Sequence, residues 1–315
     1  MAITLKIERF LDGKTWMQDY AVELEKGMTV LAALLKIKET VDPTLTFTAS
    51  CRSSICGACA VRVNDNAVLA CETLLEDLVK RYQTQTLTLA PLGNFKVLRD
   101  LAVDWQPKYE RLKKIKPFLQ PKNEFSAAEG CRQTLEAFKK ISKNSECILC
   151  GSCVSECNKC TADSSDFFDP FVFARAQKFA ADSRDSDPAA HLVPAVQDGG
   201  LWKCMNCQEC TTKCPKGLKP AEDIEKLRIA TFREKMYRGI GPSHALAFYD
   251  DIKDTGRLNE AMLAAKSEGI QAALRIPVAY RLLRAGKLAP LEKHEAIAEI
   301  QKVRTIMVAA KEDKA

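Results

Sequence analysis

Fourteen cysteines stand in this 315-residue chain, and thirteen of them fall in three tight groups. The first group is Cys51, Cys56 and Cys59, with Cys71 further on. Its C-x4-C-x2-C…C spacing is that of a plant-type [2Fe–2S] site. Thiolates hold the iron in such a site, and the loop must curl so that backbone N–H groups point at sulfur. Ser53, Gly57 and Ala58 are small enough to allow that approach. A structural zinc site would prefer paired C-x2-C units or a cysteine–histidine mixture, and the four-residue gap disfavours it.

The second group, Cys147, Cys150, Cys153 and Cys157, has the spacing C-x2-C-x2-C-x3-C. The third, Cys204, Cys207, Cys210 and Cys214, repeats it and ends in Cys-Pro. In paired runs of this kind three cysteines hold one cubane and the fourth reaches across to the other. The expected ligands of one [4Fe–4S] cluster are therefore Cys147, Cys150, Cys153 and Cys214. Those of the second are Cys204, Cys207, Cys210 and Cys157. Cys160 stays open between a spare ligand, an exchangeable thiol and a small buried hydrophobe, the last being preferred. Cys131 stands alone in an expected helix and reads as buried filler. His191, His244 and His294 are scattered and read as surface or core residues, not as ligands.

No glycine-rich dinucleotide loop, P-loop or nucleophile elbow accompanies these groups. A chain with three clusters and no catalytic residues is a wire for single electrons. Composition agrees with a soluble globular protein, with 46% hydrophobic and 28% charged residues. A formal charge of +6 does not compel nucleic-acid binding. The chain is long, and its first nine residues read as an alternating strand and not as an export signal, so a secreted disulfide scaffold is disfavoured. No apolar run is long enough to span a bilayer, so a membrane would be met through a partner. Basic residues thicken from Lys108 to Lys122, including Arg111, Lys113, Lys114 and Lys116. They read as a solvated linker or helix face, with docking to an acidic partner as the functional alternative.

The elements that must position the cysteines follow from periodicity. Ile3, Leu5 and Ile7 alternate with polar residues, as do Tyr20, Val22 and Leu24, around a turn at Asp12-Gly13-Lys14. Thr29 opens a helix with Val30, Leu31, Leu34, Leu35 and Ile37 on one face, ending before Pro43. Val61 and Val63 lead through Asn64-Asp65-Asn66 to Val68 and Ala70 as a second hairpin, and Leu87 and Leu89 resume the alternation. This is an α+β pattern in which a small mixed sheet grips a helix. From about residue 100 strands give way to helices at 131–142, 171–181 and 221–236, with cysteines in the loops between. Residues 231–315 contain no cysteine, and Ile297, Ile300, Val303 and Met307 mark an amphipathic helix. The expected domains are 1–100, 101–230 and a helical extension, 231–315.

The order of these groups resembles the iron–sulfur subunit of the succinate dehydrogenase and fumarate reductase family. So do Gln18-Asp19-Tyr20, Asp42-Pro43-Thr44-Leu45, Val97-Leu98-Arg99-Asp100-Leu101, Lys114-Ile115-Lys116-Pro117, Glu146-Cys147-Ile148-Leu149-Cys150, Asp182-Ser183-Arg184-Asp185 and Cys214-Pro215-Lys216-Gly217-Leu218. The resemblance covers roughly residues 1–230. It implies a β-grasp [2Fe–2S] ferredoxin domain, then an α-helical ferredoxin domain with two cubanes. It also implies a complex with an FAD-bearing dicarboxylate flavoprotein and a quinone-linked membrane anchor, the [2Fe–2S] cluster lying nearest the flavin. Catalysis would reside in the flavoprotein.

Departures from the family are informative. Most members lack a cysteine at the position of Cys207 and carry [3Fe–4S] there; Cys207 favours a full [4Fe–4S]. The usual proline and tryptophan pair after Cys157, and a histidine after Cys204, help to form the quinone site. This chain has Asn158, Cys160 and Met205 instead, with Phe167 and Phe168 further on. Both changes resemble the branch whose anchor is cysteine-rich and heterodisulfide-reductase-like, which includes archaeal-type succinate dehydrogenases and methylmenaquinol:fumarate reductases. Ser54 replaces a common glycine and is tolerable if its φ is negative. The longer extension after 230 is expected to contact this different anchor. The resemblance implies a peripheral position at the membrane, on the cytoplasmic side unless a signal-bearing flavoprotein carries the chain across. A free-standing ferredoxin-like carrier is the competing function, and a zinc protein a third.

Overall fold

A computed structural model describes residues 2–236, 238–287 and 295–312. The chain divides into two compact units, 1–231 and 232–315.

The first unit opens on a hairpin of β1 (Ala2–Leu11) and β2 (Lys14–Glu23). Asp12 and Gly13 both take positive φ, 48° and 78°, the two-residue turn whose twist matches antiparallel strands. Helix α1 (Val30–Thr40) starts where the Thr29 hydroxyl accepts a hydrogen bond from Ala32 N at 3.1 Å. A second hairpin, β3 (Ala60–Val63) and β4 (Asn66–Leu69), turns through Asn64 and Asp65, again both left-handed. Helix α2 (Leu75–Tyr82) then leads to β5 (Thr86–Ala90). The sheet order is β2-β1-β5-β3-β4, with β1 and β5 parallel and the other pairs antiparallel. Ile3, Leu5 and Ile7 of β1 and Leu87 and Leu89 of β5 pack on Val30, Leu31, Leu34 and Ile37 of α1 in one buried core. This is the expected α+β grip of a small sheet on a helix.

Three elements around the sheet lie outside the sequence expectation. Helix α2 interrupts the strand pattern, with Leu75 and Leu78 buried under charged neighbours. Strands also persist past residue 100, because β6 (Lys96–Arg99) pairs with β7 (Ala102–Asp104) in a separate hairpin.

Thereafter the first unit is helical: α3 (Gln106–Lys114), α4 (Leu135–Lys139), α5 (Ser142–Ser145), α6 (Ser152–Ser155), α7 (Asn158–Ala162), α8 (Pro170–Ala180), α9 (Ala189–Gln197), α10 (Glu209–Thr212) and α11 (Pro220–Arg233). The single helix expected over 131–142 is instead α4 and α5, because Thr134 caps at 135: its hydroxyl accepts from Ala137 N at 3.2 Å. Cys131 therefore lies in the preceding loop, half-buried, its carbonyl accepting from Arg184 Nη1 at 3.3 Å. The basic stretch is not simply solvated either. Lys108 and Arg111 of α3 turn inward to the fully buried Asp169, at 2.9 and 3.2 Å.

Five of the seven family-like segments converge on two buried side chains. Arg9, 3% exposed, donates to Gln18, Tyr20, Asp42, Thr44 and Asp100, the last only 1% exposed. His191, expected at the surface or in the core, is a core residue: it sits 2.9 Å from Ile115 O through Nδ1 and 3.2 Å from Asp185 through Nε2.

The second unit holds α12 (Ile240–Thr255), α13 (Glu260–Glu268), a 3-10 run at Gly269–Arg275, α14 (Ile276–Arg284) and α15 (Ile300–Glu312). Ile300, Val303 and Met307 of α15 are half-buried, as their spacing predicts, while Ile306 and Val308 are exposed; Ile297, expected in the same helix, precedes it and is half-buried. Ile297 lies close against Gly256. His244 of α12 lies 3.4 Å from the Ser267 hydroxyl, and His294 lies outside the described residues. No described helix is long and apolar enough to cross a membrane.

Candidate iron–sulfur centres

Cys51, Cys56 and Cys59 lie on the loop between α1 and β3, and Cys71 follows β4. The loop turns its amides inward: Ser53, Ile55 and Cys56 each donate N–H to Cys51 Sγ at 3.3 Å, and Ser54 N donates to Cys71 Sγ at 3.3 Å. These amides bring the Cys51 thiol down to about 6, which favours the thiolate form that binds iron. Cys59, buried at the floor, is instead pushed up to about 11 by desolvation. Iron binding there must displace a proton. The sharp curl requires left-handed backbone at Arg52, Ser54 and Gly57. Ser54 has φ +59°, so the condition for its easy tolerance is not met, and an L residue stands where glycine would be unstrained.

Cys147, Cys150, Cys153 and Cys214 line one pocket, closed by Ile148, Leu149 and Phe171. Cys157, Cys204, Cys207 and Cys210 line a second, with Phe167, Pro170 and Ile224 in its wall. The chain thus brings the fourth cysteine of each run into the pocket of the other. Among the described residues no three His, Cys, Asp or Glu side chains converge on a single-ion site. Thiols around apolar walls form a donor set that suits a thiolate-ligated cluster, whose potential is set by sulfur hydrogen bonds and exclusion of water. Burial raises the thiols of Cys150, Cys153 and Cys204, and lifts Cys210 to about 12.

The two runs share a backbone geometry that spacing alone does not show. Leu149 and Gly151 flank Cys150 with φ of +53° and +82°; Asn206 and Gln208 flank Cys207 with +54° and +65°. The carbonyl of each leading cysteine accepts from an arginine on a later helix: Arg175 Nη2 to Cys147 O at 2.8 Å, Arg228 Nη2 to Cys204 O at 2.7 Å. Neither arginine was singled out by the sequence. The repeated distance from the leading cysteine, 28 and 24 residues, is a signal only once the motifs are aligned. Leu218 N and Asn206 N donate to the sulfurs of Cys214 and Cys204, both at 3.4 Å.

Cys160 is buried beside Cys157 and 3.9 Å from Asp169. Its side-chain hydrogen bond lowers Cys157 to about 7 and raises Cys160 itself. Phe167 and Phe168, which follow where the family has its tryptophan pair, are buried against Phe173. Asn94 is a positioning residue missed in the sequence. Its side-chain amide donates to the carbonyls of Val154, Ser155 and Cys157, at 2.8, 3.1 and 3.2 Å. It ties the end of the sheet region to the loop that delivers Cys157.

Comparison with known proteins separates the first cysteine group from the paired runs. Residues 4–110 match the family described as a 2Fe-2S iron-sulfur cluster binding domain, and residues 143–218 the 4Fe-4S dicluster domain. The iron-sulfur subunit of 8-methylmenaquinol:fumarate reductase from Wolinella succinogenes is 51% identical over 290 residues, 91% of each chain. A chain of the Mycobacterium smegmatis Sdh1 complex in the apo form superposes with a TM-score of 0.68 at 23% identity, over 75% of this chain and 98% of that one. That likeness is one of fold. With both cluster domains present in this order and half the residues shared along nearly the whole length, the chain belongs to the family of fumarate reductase iron–sulfur subunits, the non-catalytic electron-transfer members of oxidoreductase complexes.

Proposed function

We propose that the chain relays electrons between an FAD-bearing flavoprotein that interconverts fumarate and succinate and a quinone-linked membrane anchor. When bound, the clusters supply one-electron redox chemistry. The chain's own residues hold them in series, shield them and set their potentials. The twelve cysteines assigned above are proposed as the ligands, in the reciprocal pattern, with domains at 1–100, 101–230 and 231–315. The observation that carries the reading is the exchange of Cys157 and Cys214 between the two cysteine pockets. Purification from the native source tests it. A stoichiometric flavin subunit is expected, and a stable, cluster-replete monomer with no flavin partner would decide for a free-standing carrier.

A full [4Fe–4S] at the third centre is supported by Cys207, which lies between two left-handed residues as Cys150 does. Asn158 and Cys160 in place of the usual proline and tryptophan pair, and Met205 in place of the usual histidine, support a cysteine-rich anchor instead of the usual quinone pocket. The position proposed is peripheral to the membrane, on the cytoplasmic face unless a signal-bearing flavoprotein carries the chain across. Metal and sulfide analysis separates all of this from the zinc reading.

A further inference from the structure

We propose that the limb formed by Gly269–Arg275 and α14 in the second unit docks on the surface of a bilayer containing anionic lipid. Ile270 and Leu274 are 95% and 84% exposed, and Ile276, Val278, Tyr280 and Leu283 are exposed as well. A folded chain does not leave so many large apolar side chains in one run without an interaction to cover them. At about 100° per residue, the apolar side chains of α14 occupy roughly 200° of its circumference. Arg281 and Arg284 fill the remainder, on either side of Pro277.

Charge selects the occupant. Between residues 269 and 287 the chain has Arg275, Arg281, Arg284 and Lys287 and no acidic residue. Arg275 pairs with Glu268 at 2.7 Å; Arg281, Arg284 and Lys287 make no ion pair among the described residues. A helix seated in a protein groove presents a narrow stripe at three- and four-residue spacing. Here the apolar arc is broad and the guanidinium groups stand at its rim, with Tyr280 adding a ring that is apolar in body and polar at its tip. Such a helix lies along the boundary between headgroups and acyl chains, its long cationic side chains reaching out to phosphate. The nine residues of α14 rise only about 14 Å, under half of a hydrocarbon core, so the contact is in the plane of the membrane. The extension was expected to meet a membrane only through a partner subunit; this limb supplies a direct contact.

The test is flotation of the cluster-loaded full chain, freed of the membrane anchor, with phosphatidylcholine vesicles, with and without phosphatidylglycerol. Binding is expected only with phosphatidylglycerol and is expected to weaken with salt. Replacing Arg281, Arg284 and Lys287 together by Gln should lower affinity on the order of 100-fold, about fivefold per charge. Leu274→Glu with Leu282→Glu should abolish binding. Cluster content and dye-linked electron transfer should be unchanged in both variants. Equal binding to the two vesicle types, no binding, or indifference to the substitutions overturns the proposal. Loss of a partner subunit from the variants with vesicle binding intact would assign the limb to a protein interface instead. Vesicle binding is read separately from cluster reduction, so its failure leaves the electron-relay reading standing.

Discussion

Gly57, in the first cysteine loop, lies directly against Cys150 in the second. A Cβ added to Gly57 would stand 2.8 Å from both Cα and Cβ of Cys150 and 2.9 Å from Ile148 O, and the glycine has φ +75°. The two loops therefore touch through backbone, with no side chain between a proposed [2Fe–2S] ligand loop and a proposed [4Fe–4S] ligand. Short through-bond and through-space separation is what a relay needs between successive centres. Gly57→Ala should cost about 1–3 kcal/mol of stability through overpacking. It should also weaken the magnetic coupling between the first two centres, measured by electron paramagnetic resonance, and slow reduction of the second through the first. Unchanged coupling in a folded variant would remove this contact from the electron path.

Cys207 is exposed, while Cys210 in the same pocket is buried. Loss of this proposed ligand should open one corner of the proposed cubane without collapsing the loop. Cys207→Ser should create or enlarge a [3Fe–4S] resonance in the oxidised protein. A strong native signal of that type in the unmodified, anaerobically prepared protein would show that Cys207 does not ligate.

Ser54 holds a left-handed backbone at φ +59°, and its hydroxyl accepts from Lys216 Nζ at 3.3 Å. The backbone term favours glycine by about 1 kcal/mol, and one partly exposed hydrogen bond opposes it by less. Ser54→Gly should therefore raise the thermal midpoint of the loaded protein by a few degrees. A lowered midpoint would mean that the Lys216 contact outweighs the strain.

Arg9 and Asp100 form a buried ion pair at 3.0 Å, with Asp42 at 2.6 Å on the same guanidinium. Removing the cation leaves Asp100 buried among amides alone, and Arg9→Met should destabilise the sheet region by about 3–5 kcal/mol. The Asp42 carboxylate is held well below its ordinary value of 3.8 by the Thr44 and Tyr20 hydroxyls, with Arg9 assisting. A depressed carboxylate contributes stability that is complete above the unfolded value and is lost as pH falls through the folded one. Denaturant midpoints between pH 7 and pH 2 should thus fall more steeply below about pH 4 in the native chain than in Asp42→Asn. Parallel curves would exclude Asp42 as a source of the acid limb.

Much of the site is legible in the residues. Cysteine spacing is a local property, because iron imposes distances that a short loop meets with few backbone solutions, and two C-x2-C-x2-C-x3-C runs have a natural reciprocal pairing. Period-two alternation and a threonine cap likewise mark β1, β2 and α1, since strand and helix periods need no distant partner. The helix expected at 131–142 shows the limit: its cap at Thr134 and the pull of Arg184 on the Cys131 carbonyl outweigh the run of helix formers.

What the sequence by itself determined is which cysteines are candidates for ligation, in which loops, and the class of relay they belong to. Only the tertiary structure decided how the loops meet. Gly57 abuts Cys150, Asn94 reaches across to Cys157, Arg175 and Arg228 hold equivalent carbonyls, and the basic Lys108 and Arg111 turn in toward Asp169. Those contacts join residues from 24 to 93 positions apart, and no local period encodes them. They form because buried polar groups must find partners and close-packed loops admit few arrangements.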